Sequence, residues 1–527
     1  MQGSGESSLS IWTAFDTITT ASVRVLKHVV RVAWTRLQDA AATFAVVGTS
    51  VVAGIDIVQG QDSVITKPDI FDYFDETSRA VQIEYEREVI EPLGGVALAQ
   101  ADVLFENTDL RFTPNQNATI GTALRPNRPV NIHVGFEVLG QSKTIVVFKG
   151  LSEQIKEDKV TRTARVHCYD YLSYLNQYPL ETTVYTNQRS DQIIESILTT
   201  IGFGSSQYSL EEGLNTIPFA WFEKGDTAGE RIRKICEAEE GFFYQDEQGI
   251  LRFENRRHYS VAPYSSVVWT IDDDDILSWE SDESTPIINR CIVNAEVREV
   301  QTSTEIWRDG TVEEVNPGAT LTIWANFDNP ITTLETITAT TDYVANSASD
   351  GTGTTLTSNI AIVTTLFAKS VKLEITNNGA QNAYMTFLRL RGTPAIVTQE
   401  IRQIFQDDDS VNTYDEQQLE VQNDFVASSS FAYYLARAIV RKYKDPLKRV
   451  VITVRGIPQL QLKDKVTVYD RDLATDKDYR IMKIVGAMQP GEFEQRLYLR
   501  EVTAGEADSW AIVGTTAVAS ETEFVGF

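Results

Sequence analysis

Polar and apolar residues alternate along much of the chain with a period of two. Val81-Gln82-Ile83-Glu84-Tyr85 is the clearest case, and similar runs recur in "VRVAWTRL", "VNIHVGFEVL", "KTIVVFKGL" and "TARVHCYDYL", each bounded by turn residues. Side chains of a strand point to opposite faces in turn, so this pattern predicts a sheet or barrel from residue 23 to about residue 170. The apolar run 41–58 is rich in Val and carries Asp56. It predicts two buried strands meeting at Gly48-Thr49-Ser50 rather than a membrane span.

Between residues 186 and 262 the period lengthens. "RSDQIIESILTTIG" sets Ile193, Ile194, Ile197 and Leu198 on one helical face, with Ser190 as the expected cap and Gly202 as the stop. "DTAGERIRKICEAEEG" repeats the plan: Thr227 and Glu230 predict a capping box, Ile232, Ile235 and Cys236 face inward, and Gly241 ends the helix. A hairpin follows, turning at Asp246-Glu247-Gln248-Gly249.

Strands return after residue 262, and the stretch 316–394 turns rich in Thr, Asn, Ser and Gly, as expected of an inserted β-sandwich. One long helix is predicted in "SSSFAYYLARAIVRKYKDP", where Phe431, Tyr434, Leu435, Ala438, Ile439 and Lys442 share helical spacing and Pro446 follows. "LQLKDKVTVYD" then reads as a barrel strand with Leu460, Leu462, Val466 and Val468 inward and an exposed Lys463-Asp464 turn.

The expected organisation is an arm (1–22), a first β-barrel (23–185), a small α/β domain (186–262), a second barrel with the long helix (263–315 and 395–505), the inserted sandwich (316–394) and a tail (506–527). The fold class is mainly β, of the α+β kind. A chain of 527 residues has room for several such cores.

Charge narrows the function. With 47 Lys+Arg against 74 Asp+Glu, the formal net charge of −27 argues against a protein that grips nucleic acid by neutralising phosphates. Cys168, Cys236 and Cys291 are too few and too scattered for a disulfide framework or a four-cysteine zinc site, and read as buried thiols. The four histidines, His28, His133, His167 and His258, fall in no catalytic or metal-binding pattern. Asp272 to Asp275 lack the spacing of a calcium loop and read as a solvated turn. Arg125, Arg128, Arg256 and Arg257 suggest an anion site at first sight, but local carboxylate pairing explains them. No catalytic residue, cofactor or metal is expected.

The stretch "ADVLFENTDLRFTPNQNATIGTALRPNRPVNIHV" holds turn formers and φ-fixing prolines instead. It resembles the first barrel of siphophage minor tail proteins related to the baseplate hub of long-tailed phages. The matching residues are Asn107, Thr108 and Asp109, then Arg111, Phe112 and Pro114, then the clamp Leu124 to Val130 with Arg125, Pro126, Arg128 and Pro129, and a Phe148-x-Gly150 turn. The helix-plus-hairpin, the Thr-rich insertion and "YKDPLKRVVITVRGIPQLQLKDKVTVYD" are similar to later parts of that family.

The resemblance implies a non-enzymatic virion protein of the tail tip, with two related barrels per chain and three chains in a pseudo-six-fold ring between a six-fold tube and a three-fold tip. Expected partners are two more copies of itself, a tail tube or distal tail protein, and other tail-tip or central fibre proteins. Phage DNA is expected to pass transiently through a lumen whose carboxylates do not hold it. A second expectation is a binding module for host-surface glycan or receptor in the inserted segment, with Trp324, Phe327 and Tyr343 as candidate contacts, although a place in the core also explains these aromatics. By the same resemblance a peptidase or muralytic domain, where some hub-like proteins carry one, would follow the second barrel, and none is expected in the short stretch after "LYLREV".

Overall fold

The computed structural model describes residues 25–36, 71–89, 95–117, 120, 123–138, 141–281, 286–470 and 475–502. The expected arm (1–22), the two strands expected in 41–58 and the tail (506–527) lie outside the described residues.

In the first half, strands neighbour one another in the order Phe71–Asp75, Val25–Arg36, Pro129–Val138, Gln141–Ser152, Thr163–Tyr169, Gly95–Glu106 and Ala80–Val89, all antiparallel. The second half is built on Thr475–Gln489. One edge of this strand pairs with Glu492–Glu501, which continues to Arg449–Arg455 and Ile276–Ser281.

Its other edge is shared. Residues 475–480 pair with Lys465–Asp470, and residues 483–488 pass to Ala80–Val89 of the first half. The two halves thus share one continuous sheet, whose seventeen strands include three from the small α/β unit, and neither half closes into the barrel that the sequence predicts. One core follows the sheet across the join: Trp34, Phe105 and Ile132 belong to the same apolar cluster as Ile452, Ile481 and Leu497.

A second core holds the helices Ser190–Ile201, Ala228–Glu239 and Ser429–Tyr443. The long helix does not lie on the second barrel-like half, where the sequence reading put it. Leu435, Ile439 and Tyr443 pack with Ile193, Ile235 and Cys291, against strands Arg290–Val300 and Ala383–Gln406, which form a separate sheet with Gln418–Gln422.

Helix ends follow the sequence with two corrections. Ser190 is the first helical residue rather than the cap, and its hydroxyl donates to the buried carboxylate of Glu239 at 2.8 Å. Glu240, not Gly241, takes the left-handed conformation that ends the second helix. Gly241 is needed for space, because a Cβ there would lie 2.9 Å from the carbonyl oxygen of Glu254. Thr227 caps as expected, accepting from the amide of Glu230 at 3.4 Å.

The third core lies between two small sheets. One is Thr320–Asn326, Ser370–Asn377 and Ile360–Leu366; the other gathers Thr304–Arg308, Glu313–Val315, Ile331–Leu334 and Tyr343–Asn346 along Ala383–Gln406. The unit takes in strands before residue 316, because Trp307 and Val315 already pack on its core. Ala383–Gln406 is 24 residues long and continues into the sheet with Arg290–Val300. Among the described residues no helix is long and apolar enough to cross a membrane.

Candidate functional site

The residues that carry the resemblance form a network around one buried carboxylate. Glu76, 1% exposed, follows Phe71–Asp75 and is withdrawn from bulk solvent. It accepts a hydrogen bond from the Trp34 indole at 2.9 Å and two from Arg111, from Nε at 2.9 Å and from Nη2 at 2.6 Å. A paired, charge-assisted arrangement of this kind is what makes a buried carboxylate tolerable.

The Asn-Thr-Asp turn aims Arg111 at its target. Asn107 is buried; its side-chain oxygen accepts from the amide of Phe112 at 2.8 Å, and its nitrogen donates to Thr113 at 3.2 Å. Phe112 drops between Trp34 and Phe105, with ring centroids 5.9 and 4.7 Å away. Asp109 takes two hydrogen bonds of 2.8 Å from Arg79, which hold its carboxyl below the usual range. Pro114 is exposed at the end of the turn.

The clamp works through the backbone. Asn127 sits at φ 61°, its amide donates to the Ser152 carbonyl at 2.6 Å, and the hydroxyl of Tyr169 donates to its side chain. Arg128 is buried and donates to the carbonyl of Ala123 at 3.3 Å, while Arg125 and Pro126 are exposed. Pro129 opens its strand opposite Leu151. Phe148 and Gly150 lie within the strand Gln141–Ser152, not in a turn; the glycine is required because a Cβ would sit 2.3 Å from the Tyr169 carbonyl oxygen. Beside the clamp lies an open cleft of about 750 Å³, lined by Glu86, Glu88, Glu153, Asn127 and His167.

At the join of the halves the structure buries charge that sequence reasoning missed. Arg87 points into the interior, where it hydrogen-bonds to Gln461, with Glu247 3.9 Å away. One signal was available: Arg87 continues the inward phase of Ile83 and Tyr85. The Lys463-Asp464 turn, expected to be exposed, packs against this cluster. Asp464 is partly exposed as a residue, yet burial of its carboxylate, aided by nearby Glu247, pushes its pKa up to about 7 against the pull of Arg87 and Arg480. It accepts from the amide of Gln461 at 2.8 Å.

An Asp whose folded pKa exceeds its ordinary 3.8 costs stability as pH climbs. The cost is absent below about pH 4 and grows until the pH passes about 7. Asp464→Asn is therefore expected to stabilise the chain by about 1–2 kcal/mol at pH 8.5 and hardly at all at pH 4.5. Thermal melts of both forms across that range check it, and an equal gap at the two ends would reject it.

The remaining candidates separate cleanly. Phe327 and Tyr343 are buried in the core between the small sheets and offer no contact surface, because the inward phase of their segments is what fills that core. Trp324 is 50% exposed and stacks on Phe367. Arg256 is buried against Glu239 at 3.4 Å. Asp273 to Asp275 form a short 3-10 turn between strands. The three cysteines are buried and free. Among the described residues no cluster of His, Cys, Asp and Glu could hold a metal ion.

No known family profile and no curated protein matches the sequence. Solved structures similar to the chain include phage tail proteins and a component of a type VI secretion system. They include the 43 kDa tail protein of prophage MuSo2 from Shewanella oneidensis, at 11% identity and TM-score 0.44, covering 83% of this chain and 97% of that one. A tail protein from Neisseria meningitidis MC58 shares 10% identity at TM-score 0.46, over 84% of this chain and 97% of that one. Prophage tail protein gp18 from Listeria monocytogenes EGD-e shares 10% identity at TM-score 0.38, over 83% and 94%.

Proposed function

We propose that the chain is a structural hub of a phage tail tip, without catalytic activity, that assembles as a homotrimer between tail tube and tip and leaves a passage for DNA. The observation that carries this reading is the strand Thr475–Gln489, whose single edge serves both halves of the chain. Two barrel-like halves welded by one strand make a rigid block, as an adaptor between assemblies requires. The motif residues act in the same sense: Asn107, Asp109, Arg111, Arg128 and Pro129 bond to backbone and to neighbouring side chains of the same unit. An excess of carboxylates suits a channel wall that DNA must not stick to. Tube, distal tail and fibre proteins are the neighbours this role demands, and exposed Trp324 is the contact left for a host surface.

Light scattering on a size-exclusion column is expected to give the mass of three 59.0 kDa chains. Quantitative mass spectrometry of purified tails is expected to count three copies per virion; one copy, or six, would remove the hub.

A further inference from the structure

In the three-stranded sheet, Ser370–Asn377 lies between two edge strands, Thr320–Asn326 and Ile360–Leu366. Among the described residues neither edge has a second strand partner. Their sequences, TLTIWAN and IAIVTTL, contain no charge and no proline, and both pair with the central strand in unbroken register. Soluble proteins guard free edges with a lysine, a proline or a bulge, because unpaired N–H and C=O groups recruit another strand. These two edges have no such guard.

Side-chain burial points the same way. Val371, Leu373 and Ile375 on the central strand are fully buried. Of the inward residues of the edges, Ala325 and Ile360 are buried, whereas Leu321 and Ile323 on one side and Ile362 and Leu366 on the other stay partly exposed. Beside Ile360–Leu366 the two sheets part into a groove of about 480 Å³, lined by Leu334, Ile337, Ile362, Thr364 and Leu366, with Glu335 its one charged residue.

The two edges also match each other. Each strand is seven residues long, and because both run antiparallel to the strand between them, they run parallel to one another. A second copy that continues the sheet therefore brings its Thr320–Asn326 strand alongside Ile360–Leu366 in a parallel pairing. Partly exposed Leu321 and Ile323 then meet partly exposed Ile362 and Leu366. A charged or proline-bearing strand would lose part of this contact.

We propose that copies of this chain join head to tail through these edges, Thr320–Asn326 of one protomer extending the sheet beside Ile360–Leu366 of its partner. The contact is heterologous, so rotation can close it into a ring in which no edge remains free. It stands on the sheet edges and does not depend on the tail-hub reading. Since neither strand is charged, the junction is insensitive to salt.

The test uses the full chain and hydrogen exchange at high and low protein concentration. Amides in residues 360–366 are expected to exchange about tenfold more slowly in the associated protein. Ile362→Lys, which sets a charge in the groove, and Ile323→Lys, which blocks the opposite edge, are each expected to give a single-chain mass with unchanged circular dichroism. Mixing the two is expected to restore one junction and a two-chain mass. Val363→Lys, on the outward face where the residue is 60% exposed, is expected to keep the parental mass. Edge amides that exchange equally fast in assembled and dilute protein would overturn the junction while leaving the three-copy count of the hub untouched. A parental mass of one chain at every concentration would also overturn it.

Discussion

Arg111→Ala is expected to destabilise the chain by about 3–5 kcal/mol, the usual result of stripping the partner from a buried charge. The carboxylate it leaves behind, Glu76, is 1% exposed and would retain the Trp34 indole, with Arg79 3.9 Å away. Its indole partner belongs to the apolar core with Phe105 and Phe112, so the stranded charge borders that core. The loss is therefore expected to appear as a lower melting temperature and as faster exchange of the amides in Gly95–Glu106. The double variant Glu76→Gln with Arg111→Ala removes the stranded charge and is expected to recover more than half of the loss. A double variant as unstable as the single one would show that Arg111 matters for packing alone.

Gly486→Ala is expected to destabilise the join between the halves by about 1–3 kcal/mol, as overpacking does. Gly486 faces Tyr85 across the pairing of Thr475–Gln489 with Ala80–Val89. A Cβ there would lie 2.2 Å from the Tyr85 ring, which is buried and whose hydroxyl accepts from Gln495 at 2.8 Å. The sign is what decides. In an ordinary strand, exchanging glycine for alanine stabilises by reducing the freedom of the unfolded chain. A raised melting temperature would mean that the tyrosine yields and that the join is loosely packed.

The sequence discloses elements better than their partners. Strand alternation and helix caps are local properties, so Ile83 and Tyr85, Thr227 and Leu435 could be placed from neighbours a few residues away. Pairing across the chain is not local. Nothing in "DYRIMKIVGAM" reveals that one edge will be divided between residues 465–470 and residues 80–89, so two closed barrels were expected where one continuous sheet exists. The long helix went astray for the same reason, since its apolar stripe says that it is covered but not by what.

The candidate site divided along the same line. Asn107, Arg111 and Pro129 were legible as shape-holding residues because turn and proline chemistry is written into single positions. Glu76 was not, because a lone acidic residue before "TSRA" looks like any solvated turn until a distant arginine arrives. Phe327 and Tyr343 stood open between contact and core because an aromatic residue gives no sign of the sheet that will cover it.

The 24-residue strand Ala383–Gln406 has a mechanical meaning as well. At roughly 3.3 Å per residue it is a tether with about 80 Å of contour, running from the unit between the small sheets into the sheet beneath the long helix. A pull applied at Ala383 loads the hydrogen bonds to Arg290–Val300 in shear, all together, rather than unzipping them singly from one end. Force received at the Thr-rich unit therefore reaches the helical layer along one unbroken strand, and the irregular register between Val397 and Gln399 is where that strand can yield.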